Sequence, residues 1–349
     1  MRFLTILFCC LIFVACSSKD SSQGDLLSTD DAASEWDNRE VFDDDSGIFK
    51  PVGTYTGFID SGFSLSHSQA IGGLVRVRWG EIEPSNDHYD WQLITDQVEK
   101  MDAFSQGKPW SLAIAGGKEA PAWLYDEGVA SYQVVTARSG EVKLPKFWDE
   151  NLQFHLADFA NDLAARFGDD ERLILIYLPQ MTVNGVEGHF NSVDYEVLEA
   201  AGLTADVWID AVKDAAVNFA LAFPTKAIAV ELHDILGSAE IPIAIMNELW
   251  NDPQLGHRVG VGMWWISGDE QAYQQDLLNA LELFPGDIYG QIIGRSDQVD
   301  RFPEGYVAVF EQAKKIGMRY IEPWNYEFLH FTQDEALQDF NEWAFRIYE

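Results

Sequence analysis

Three glutamates stand where short apolar, β-rich runs of the sequence end: Glu187, Glu231 and Glu322. A carboxylate that is buried without a partner costs several kcal/mol, so it is either paired or its pKa is raised. Catalytic sites make use of this cost. Two carboxyl groups, one protonated and one ionised, can together hydrolyse a bond. The three glutamates are therefore candidates for acid–base or nucleophilic chemistry.

Aromatic residues lie near the ends of the same runs. The set comprises Trp79, Trp123, Trp264, Trp265, Trp324 and Tyr326. Aromatic faces stack on the apolar faces of sugar rings, and carboxylates hydrogen-bond sugar hydroxyls. Hydrolysis of a glycosidic bond also needs a pair of carboxyl groups. The combination points to a carbohydrate ligand.

The elements that must position these residues alternate along the chain. Eight runs are predicted as strands, at 53–60, 74–79, 110–116, 173–179, 227–234, 259–266, 288–294 and 318–324. Helix-period stretches lie between or after them, at 91–104, 149–167, 205–223, 241–250, 270–283 and 303–316. Eight βα units over roughly 300 residues predict a (β/α)8 TIM barrel, an α/β fold, as a single domain at 51–349. A doubly wound open sheet is the alternative, but no Gly-rich phosphate loop follows an early strand.

Alternation within the strands predicts which side chains face the barrel interior. Bulky Ile228, Val230 and Leu232 share one face of their strand, which should meet the helices. The opposite face carries small residues followed by Glu231 and His233, which suits an interior that opens into a site. The same rule places these residues inside: Arg76, Arg78, Tyr289, Gln291, Tyr320, Glu322 and Trp324.

Several segments of the chain have a recognisable pattern. Residues 76–84 (RVRWGEIEP), followed by YDW at 89–91, resemble the second βα unit of the clan A glycoside hydrolases. Residues 115–124 (AGGKEAPAWL) look like its third-strand loop, and 144–149 and 184–189 (NGVEGH) continue the likeness. The resemblance covers 53–324. It implies a glycosidase in which Glu187 is the general acid/base and Arg76 orients a carboxylate.

The sequence departs from the clan at the seventh strand, where the clan places its nucleophile. Residues 289–295 read YGQIIGR and contain no carboxylate. Either the nucleophile has moved, the enzyme inverts, or the domain only binds sugar. Glu322 is the best substitute for the missing nucleophile. Across the barrel mouth from Glu187, it is expected at the separation of an inverting pair, about 6.5–9.5 Å. Glu231 is the second candidate, and it would approach a retaining separation of about 5–5.5 Å.

The predicted catalytic pair is therefore Glu187 and Glu322. The predicted sugar-binding residues are Arg76, Trp79, Glu231, His233, Trp265, Gln291, Trp324 and Asn325.

Each candidate also has a structural interpretation. Glu322 can pair with Arg76 or Arg78, Glu231 can be held by His233, and Glu187 can be a solvated loop residue. One of the two neighbours Trp264 and Trp265 must face the helices. A metal site could involve His189, His233, Asp234 and Asp269, but their spacing matches no known motif. We therefore predict neither a metal nor a cofactor.

Composition limits the partners of the chain. The 349 residues include 23 Lys and Arg against 57 Asp and Glu, which gives a formal net charge of −34. Phosphate binding requires Lys and Arg, so nucleic acid is excluded as a partner. Hydrophobic residues make up 47% of the chain, enough for a large core. A neutral or weakly charged substrate fits best, and the oligomeric state is left open.

The first sixteen residues have the pattern of a secretory signal, in which Arg2 precedes a short apolar run. Residues 13–16 (FVAC) resemble a bacterial lipobox, which implies that Cys16 is lipidated and becomes the first mature residue. Ser17 then implies the outer membrane, at its periplasmic or cell-surface face. The alternative is an ordinary signal peptide. Residues 17–50, with ten acidic and three basic residues, are predicted to be an extended acidic tether.

Three functions follow from these features. The first is a glycoside hydrolase that acts on a poly- or oligosaccharide outside the cytoplasm. The second is a non-catalytic surface lipoprotein that binds carbohydrate on a degenerate glycosidase barrel, which Gln291 favours. The third is a structural outer-membrane lipoprotein, which does not explain the inward arginines.

Overall fold

The computed structural model describes residues 47–60, 62–190, 193–269 and 274–349. The strands are β1 Gly53–Thr56, β2 Gly72–Arg78, β3 Trp110–Ala115, β4 Ser131–Thr136, β5 Gly140–Pro145, β6 Leu173–Tyr177, β7 Ala227–Glu231, β8 Val259–Ile266, β9 Ile288–Ile292 and β10 Met318–Glu322. Eight of them close into a parallel barrel in the order β1-β2-β3-β6-β7-β8-β9-β10. The predicted TIM barrel is confirmed, and each barrel strand lies within or overlaps one of the predicted runs.

Helices follow the strands around the barrel. They are α1 Trp79–Ile82, α2 Gln92–Phe104, α3 Glu150–Phe167, α4 Tyr195–Ala200, α5 Ala205–Ala222, α6 Glu240–Asn251, α7 Gln275–Leu283, α8 Val307–Ile316, α9 Asn325–His330 and α10 Asp334–Tyr348. The start of α3 is set by the sequence. Asp149 caps the helix, because its side chain accepts hydrogen bonds from the backbone N–H groups of Asn151 and Leu152. Helix α8 begins later than predicted, because a turn with Gly305 at a φ of 87° precedes it.

Some elements are not predicted by the sequence pattern. The hairpin β4–β5 is antiparallel and lies in the connection between β3 and α3. Helices α1, α4, α9 and α10 are also additional. The predicted helix at 270–283 is described only from α7 onward, since 270–273 lie outside the described residues.

The alternation rule holds along the strands. Ala227 and Ala229 belong to the buried cluster inside the barrel, together with Tyr177, Tyr289 and Tyr320. The bulky residues of β7 belong instead to the large cluster between the barrel and its helices. The interior is thus filled by side chains, and its glutamates Glu231 and Glu322 lie at the carboxyl ends of their strands.

The barrel is closed by contacts between the first and last elements. Gly53 and Thr54 of β1 pair with Tyr320 and Ile321 of β10. The backbone N–H of Thr54 also donates a 2.7 Å hydrogen bond to the side chain of Asn341 on α10. The last long helix therefore holds the first strand in place.

The predicted signal peptide at 1–16, with Cys16, and all but the end of the predicted tether lie outside the described residues. Lys50, predicted as the last tether residue, is buried and forms an ion pair with Asp287. The folded unit thus includes a residue on the tether side of the predicted boundary. Within the described ranges, no helix has the length and apolarity needed to cross a bilayer.

Candidate active site

The three glutamates selected from the sequence all lie at the carboxyl-terminal end of the barrel. Glu231 is the last residue of β7, Glu322 is the last residue of β10, and Glu187 lies in the loop after β6. The course of this loop requires glycine at position 185. The φ of Gly185 is 80°, and an added Cβ would lie 2.6 Å from the carbonyl oxygen of Gly116. The loop can therefore pack directly over the end of β3.

Glu322 is completely buried. Its carboxylate accepts hydrogen bonds from the hydroxyl of Tyr320 and, at 2.9 Å, from the side-chain amide of Gln291. Burial raises the pKa of Glu322 to about 7, although these hydrogen bonds and the charge of Arg76 favour the ionised form. The predicted inward orientation of Glu322 and Gln291 agrees with the structure.

Glu231 is also buried, and it connects three segments of the chain. Its Oε2 atom accepts hydrogen bonds from the backbone N–H of Gly188 at 2.7 Å and from Nδ1 of His233 at 2.9 Å. Its Oε1 atom accepts from the backbone N–H of Trp264 at 3.1 Å. Burial raises the pKa of Glu231 well above its usual range, and the nearby charge of Glu187 adds to this. These contacts make Glu231 a residue that positions His233 and the loop at Gly188. This agrees with the structural role that the sequence analysis gave as its alternative, in which His233 holds Glu231.

Glu187 is the most accessible of the three, with 24% of its side chain exposed. Its Oε2 atom lies 3.1 Å from Nε2 of His189. Burial favours the neutral acid, but His189, His233 and Arg76 outweigh it and hold the pKa of Glu187 below its usual range. Glu187 therefore combines solvent access with neighbours that favour its ionised form.

Arg76 faces the barrel interior, as the alternation rule predicts, and the charges of two of the glutamates reach it. Burial lowers the pKa of its guanidinium, and the charges of Glu187 and Glu322 oppose that change. The guanidinium also lies 5.0 Å from the ring centre of Trp264, on the barrel interior. Arg78 is different, because it is half exposed at the rim and pairs with Glu81 at 2.7 Å.

An open cavity of about 410 Å³ adjoins this arrangement. Glu187 and Arg76 line it on the barrel side, and Phe58, Arg78 and Glu119 line it further out. A second cavity of about 330 Å³ lies at the other side of the Glu187 loop, where His189 and His233 line it. Neither Glu231 nor Glu322 lines either cavity.

Two of the predicted sugar-binding tryptophans lie away from the opening. Trp79 is fully buried against Phe159, with ring centres 5.2 Å apart, because it has the opposite parity to Arg76 and Arg78. Trp265 packs in the cluster between barrel and helices and donates its indole N–H to the carbonyl of Leu232. Their predicted contact with substrate is not supported by these positions. Trp264 is the member of the pair that faces the interior.

Trp324 and Asn325 lie at the mouth of the barrel, as predicted. Trp324 is partly exposed, and its ring is nearly parallel to that of Phe58, with centres 6.3 Å apart. Asn325 donates a 3.0 Å hydrogen bond to Asp60. Phe58 is 41% exposed and was not selected from the sequence. Its place just after β1, at the carboxyl end of a strand, is the signal that identifies it.

His233 is placed beside His189, with ring centres 4.3 Å apart. Burial lowers the pKa of His233 to about 3, and the charge of His189 contributes. Glu187, His189 and His233 each place one possible metal-ligand atom within 4.8 Å of the others. The metal site considered from the sequence combined His189 and His233 with Asp234 and Asp269. Among the described residues, the third residue that lies with the two histidines is instead Glu187.

No family model matches the sequence, and no curated protein is found as a relative. The barrel is similar to endo-glycoceramidase II from Rhodococcus sp., at 14% identity over 82% of this chain and 75% of that chain, with a TM-score of 0.48. It is also similar to an endo-β-1,4-glucanase from Xanthomonas axonopodis pv. citri, at 14% identity, 79% and 83% coverage and a TM-score of 0.47. A psychrophilic family 10 endo-β-1,4-xylanase gives 12% identity, 80% and 86% coverage and a TM-score of 0.46. The likeness is one of fold.

Proposed function

We propose that this protein is a glycoside hydrolase that cleaves a poly- or oligosaccharide, with Glu187 and Glu322 as its catalytic pair. The observation that supports this most directly is the position of Arg76, which lines an open cavity together with Glu187 and whose guanidinium is influenced by the charges of both Glu187 and Glu322. Carboxyl groups that share a site in this way are the requirement for glycosidic hydrolysis.

The two carboxyl groups differ in their surroundings. Glu187 faces the cavity and is the group placed to contact substrate directly. Glu322 has a pKa of about 7, so a large fraction of molecules hold a proton there at neutral pH. This favours Glu322 as the proton donor and Glu187 as the nucleophile or base. The division is the reverse of the one implied by the resemblance.

The mouth of the barrel also offers a surface for a sugar ring. Phe58 and Trp324 present nearly parallel rings, and Phe58 lines the same cavity as Glu187. Parallel aromatic faces suit the flat, apolar face of a pyranose. Arg76 and Asn325 supply hydrogen-bond donors for hydroxyl groups.

A second candidate is a non-catalytic carbohydrate-binding protein. The burial of Glu322, with both carboxylate oxygens hydrogen-bonded to Tyr320 and Gln291, favours it. In this case the cavity and its aromatic rings would hold a glycan without cleaving it.

Turnover on a panel of soluble glycans separates the two candidates. We expect release of reducing ends from at least one glycan, and we expect Glu187→Gln and Glu322→Gln each to lower kcat by about 10²–10⁴-fold. Glu171→Gln is the matched control, because Glu171 is exposed at the amino end of β6, on the opposite side of the barrel. Glycan binding without any product, or full activity of Glu187→Gln, would contradict the hydrolase.

We also propose that the protein is exported and held at the outer membrane by a lipid on Cys16. The support is the sequence of residues 1–16 alone. Metabolic labelling with a fatty acid should mark the wild-type chain and not Cys16→Ser. Labelling of both chains, or of neither, would contradict the anchor.

A further inference from the structure

Two histidines and a glutamate converge where the loop after β6 meets the end of β7. Glu187 and His189 are two residues apart on that loop, and His233 follows β7 by two residues. One ligand atom from each lies within 4.8 Å of the other two. Two imidazole nitrogens and one carboxylate oxygen form a donor set that suits Zn²⁺ and similar divalent transition metals.

The hydrogen bond to Glu231 prepares His233 for this role. Nδ1 of His233 lies 2.9 Å from Oε2 of Glu231, and this contact leaves Nε2 as the ring nitrogen that can bind a metal. In zinc sites a carboxylate usually holds the ligating histidine in this way and fixes the orientation of its ring. The same Oε2 atom accepts from the backbone N–H of Gly188, between the two loop residues. One carboxylate therefore positions all three donors.

The contacts of His189 add a second observation. Nε2 of His189 lies 3.0 Å from the side-chain amide nitrogen of Asn184 and 3.1 Å from Oε2 of Glu187. Which of the two contacts Nε2 donates to depends on the ring tautomer. Together they hold Nε2 beside the carboxylate oxygen of Glu187, so that the two atoms can bind one cation.

The site has room for further ligands. His189 and His233 line the 330 Å³ cavity together with Asp234. The Oδ1 atom of Asp234 is buried and has no hydrogen-bond partner among the described residues. It is a suitable acceptor for a metal-bound water. Three protein ligands with an open position are typical of catalytic and exchangeable zinc sites rather than structural ones.

We propose that Glu187, His189 and His233 bind a divalent transition metal of the Zn²⁺ class, with Glu231 as the positioning residue for His233. This inference does not depend on the proposed hydrolase. The two share Glu187, whose carboxylate either binds the metal or acts on a glycosidic bond. Metal occupancy should therefore inhibit the proposed activity.

The full chain, freed of metal with a chelator, is titrated with Zn²⁺ in a calorimeter. We expect one site with a dissociation constant of about 1 μM or below. His189→Gln and His233→Gln should each weaken binding at least about ten-fold, and Glu231→Gln by about 10–100-fold. His88→Gln is the matched control, since His88 is exposed on the loop after α1. Unchanged binding in both ligand variants, or a wild-type chain that binds no Zn²⁺, would overturn the proposal.

Co²⁺ gives a measurement that needs no variant. A site with two imidazoles and a carboxylate should give visible absorption bands of low-coordinate Co²⁺, and equimolar Zn²⁺ should abolish them. A spectrum of hexaaqua Co²⁺ would count against the site. Loss of hydrolysis in Glu322→Gln with Zn²⁺ binding retained would show that the two proposals stand separately. Zn²⁺ binding by a chain that cleaves no glycan would support the metal site and refute only the hydrolase.

Discussion

The side-chain amide of Gln291 donates a 2.9 Å hydrogen bond to the carboxylate of Glu322 across the β9–β10 pair, where the two residues are in register. Gln291 belongs to the strand on which the clan that the sequence resembles places its nucleophile. In this chain the amide supports a carboxyl group on the next strand. A donor to the charged form lowers the pKa of a carboxyl group, whereas burial raises it.

Removal of this donor should change the titration of Glu322. We expect Gln291→Leu to raise the pKa of Glu322 further above its ordinary value, because the ionised form loses a hydrogen bond. Carboxyl-carbon NMR across a pH series measures this. Gln338→Leu, on the exposed face of α10, serves as control and should leave the titration unchanged. A lower or unaltered pKa in Gln291→Leu would contradict the expected coupling.

The activity of the proposed hydrolase should depend on the proton of Glu322. If Glu322 is the proton donor, kcat/KM falls as the pH rises through about 7, where this carboxyl group ionises. The residual activity of Glu322→Gln should lack that alkaline limb. Initial rates between about pH 5 and 9 test both statements. A wild-type rate that is constant across this range would exclude Glu322 as the donor.

Glu83 should make stability depend on pH. It is 2% exposed and accepts hydrogen bonds from the indole N–H of Trp79 and the backbone N–H of Asp87. Burial raises its pKa from 4.5 to about 7. The folded state therefore binds more protons than the unfolded state in this window, and the associated stability is present at low pH and lost as the pH rises to about 7.

Urea unfolding of Glu83→Gln measures this contribution. Relative to wild type, the variant should gain free energy of unfolding as the pH is raised from about 5 to about 8, because it carries no proton to lose. An identical pH dependence in the two proteins would mean that Glu83 titrates normally in the fold.

Glu231 should matter for folding as well as for the site. Glu231→Leu leaves three N–H donors unpaired, on Gly188, His233 and Trp264, at about 1–3 kcal/mol for each donor that stays buried. We expect the free energy of unfolding to drop by at least about 3 kcal/mol. Glu231→Gln keeps an acceptor oxygen and should lose less. Equal stability of the leucine and glutamine variants would show that the hydrogen bonds contribute little.

Phe58 should contribute to binding rather than to chemistry. We expect Phe58→Ala to raise KM for the cleaved glycan by about ten-fold with kcat nearly unchanged, since the ring stacks but does not react. Phe154→Ala is the control, because Phe154 is 62% exposed on α3, away from the cavity. A fall in kcat with KM unchanged would place Phe58 in a different role.

The barrel was predictable because each strand is short, apolar and followed by a helical period. Alternation along β7 and β10 was sufficient to orient Glu231 and Glu322. The same rule, applied strictly, excludes Trp79 from the barrel interior and so from the sugar-binding residues, because Trp79 has the parity of Val75 and Val77 on β2. It also selects Trp264 over Trp265, because Trp264 has the parity of Gly260 and Gly262 on the crowded interior of β8.

The loop geometry was not predictable from periodicity. Glu187 meets His189 and His233 because Gly185 adopts a positive φ and because the N–H of Gly188 binds Glu231. The bond from Gly188 to Glu231 joins residues that are 43 positions apart in the chain. The exposed ring of Phe58 likewise depends on a loop whose course no strand or helix pattern specifies.

The register between Gly53 and Tyr320, together with the bond from Thr54 to Asn341, has a consequence for synthesis. The ribosome makes β1 before the other barrel strands, and Asn341 follows Thr54 by 287 positions. The ring therefore cannot close in the nascent chain before β10 and α10 have been made.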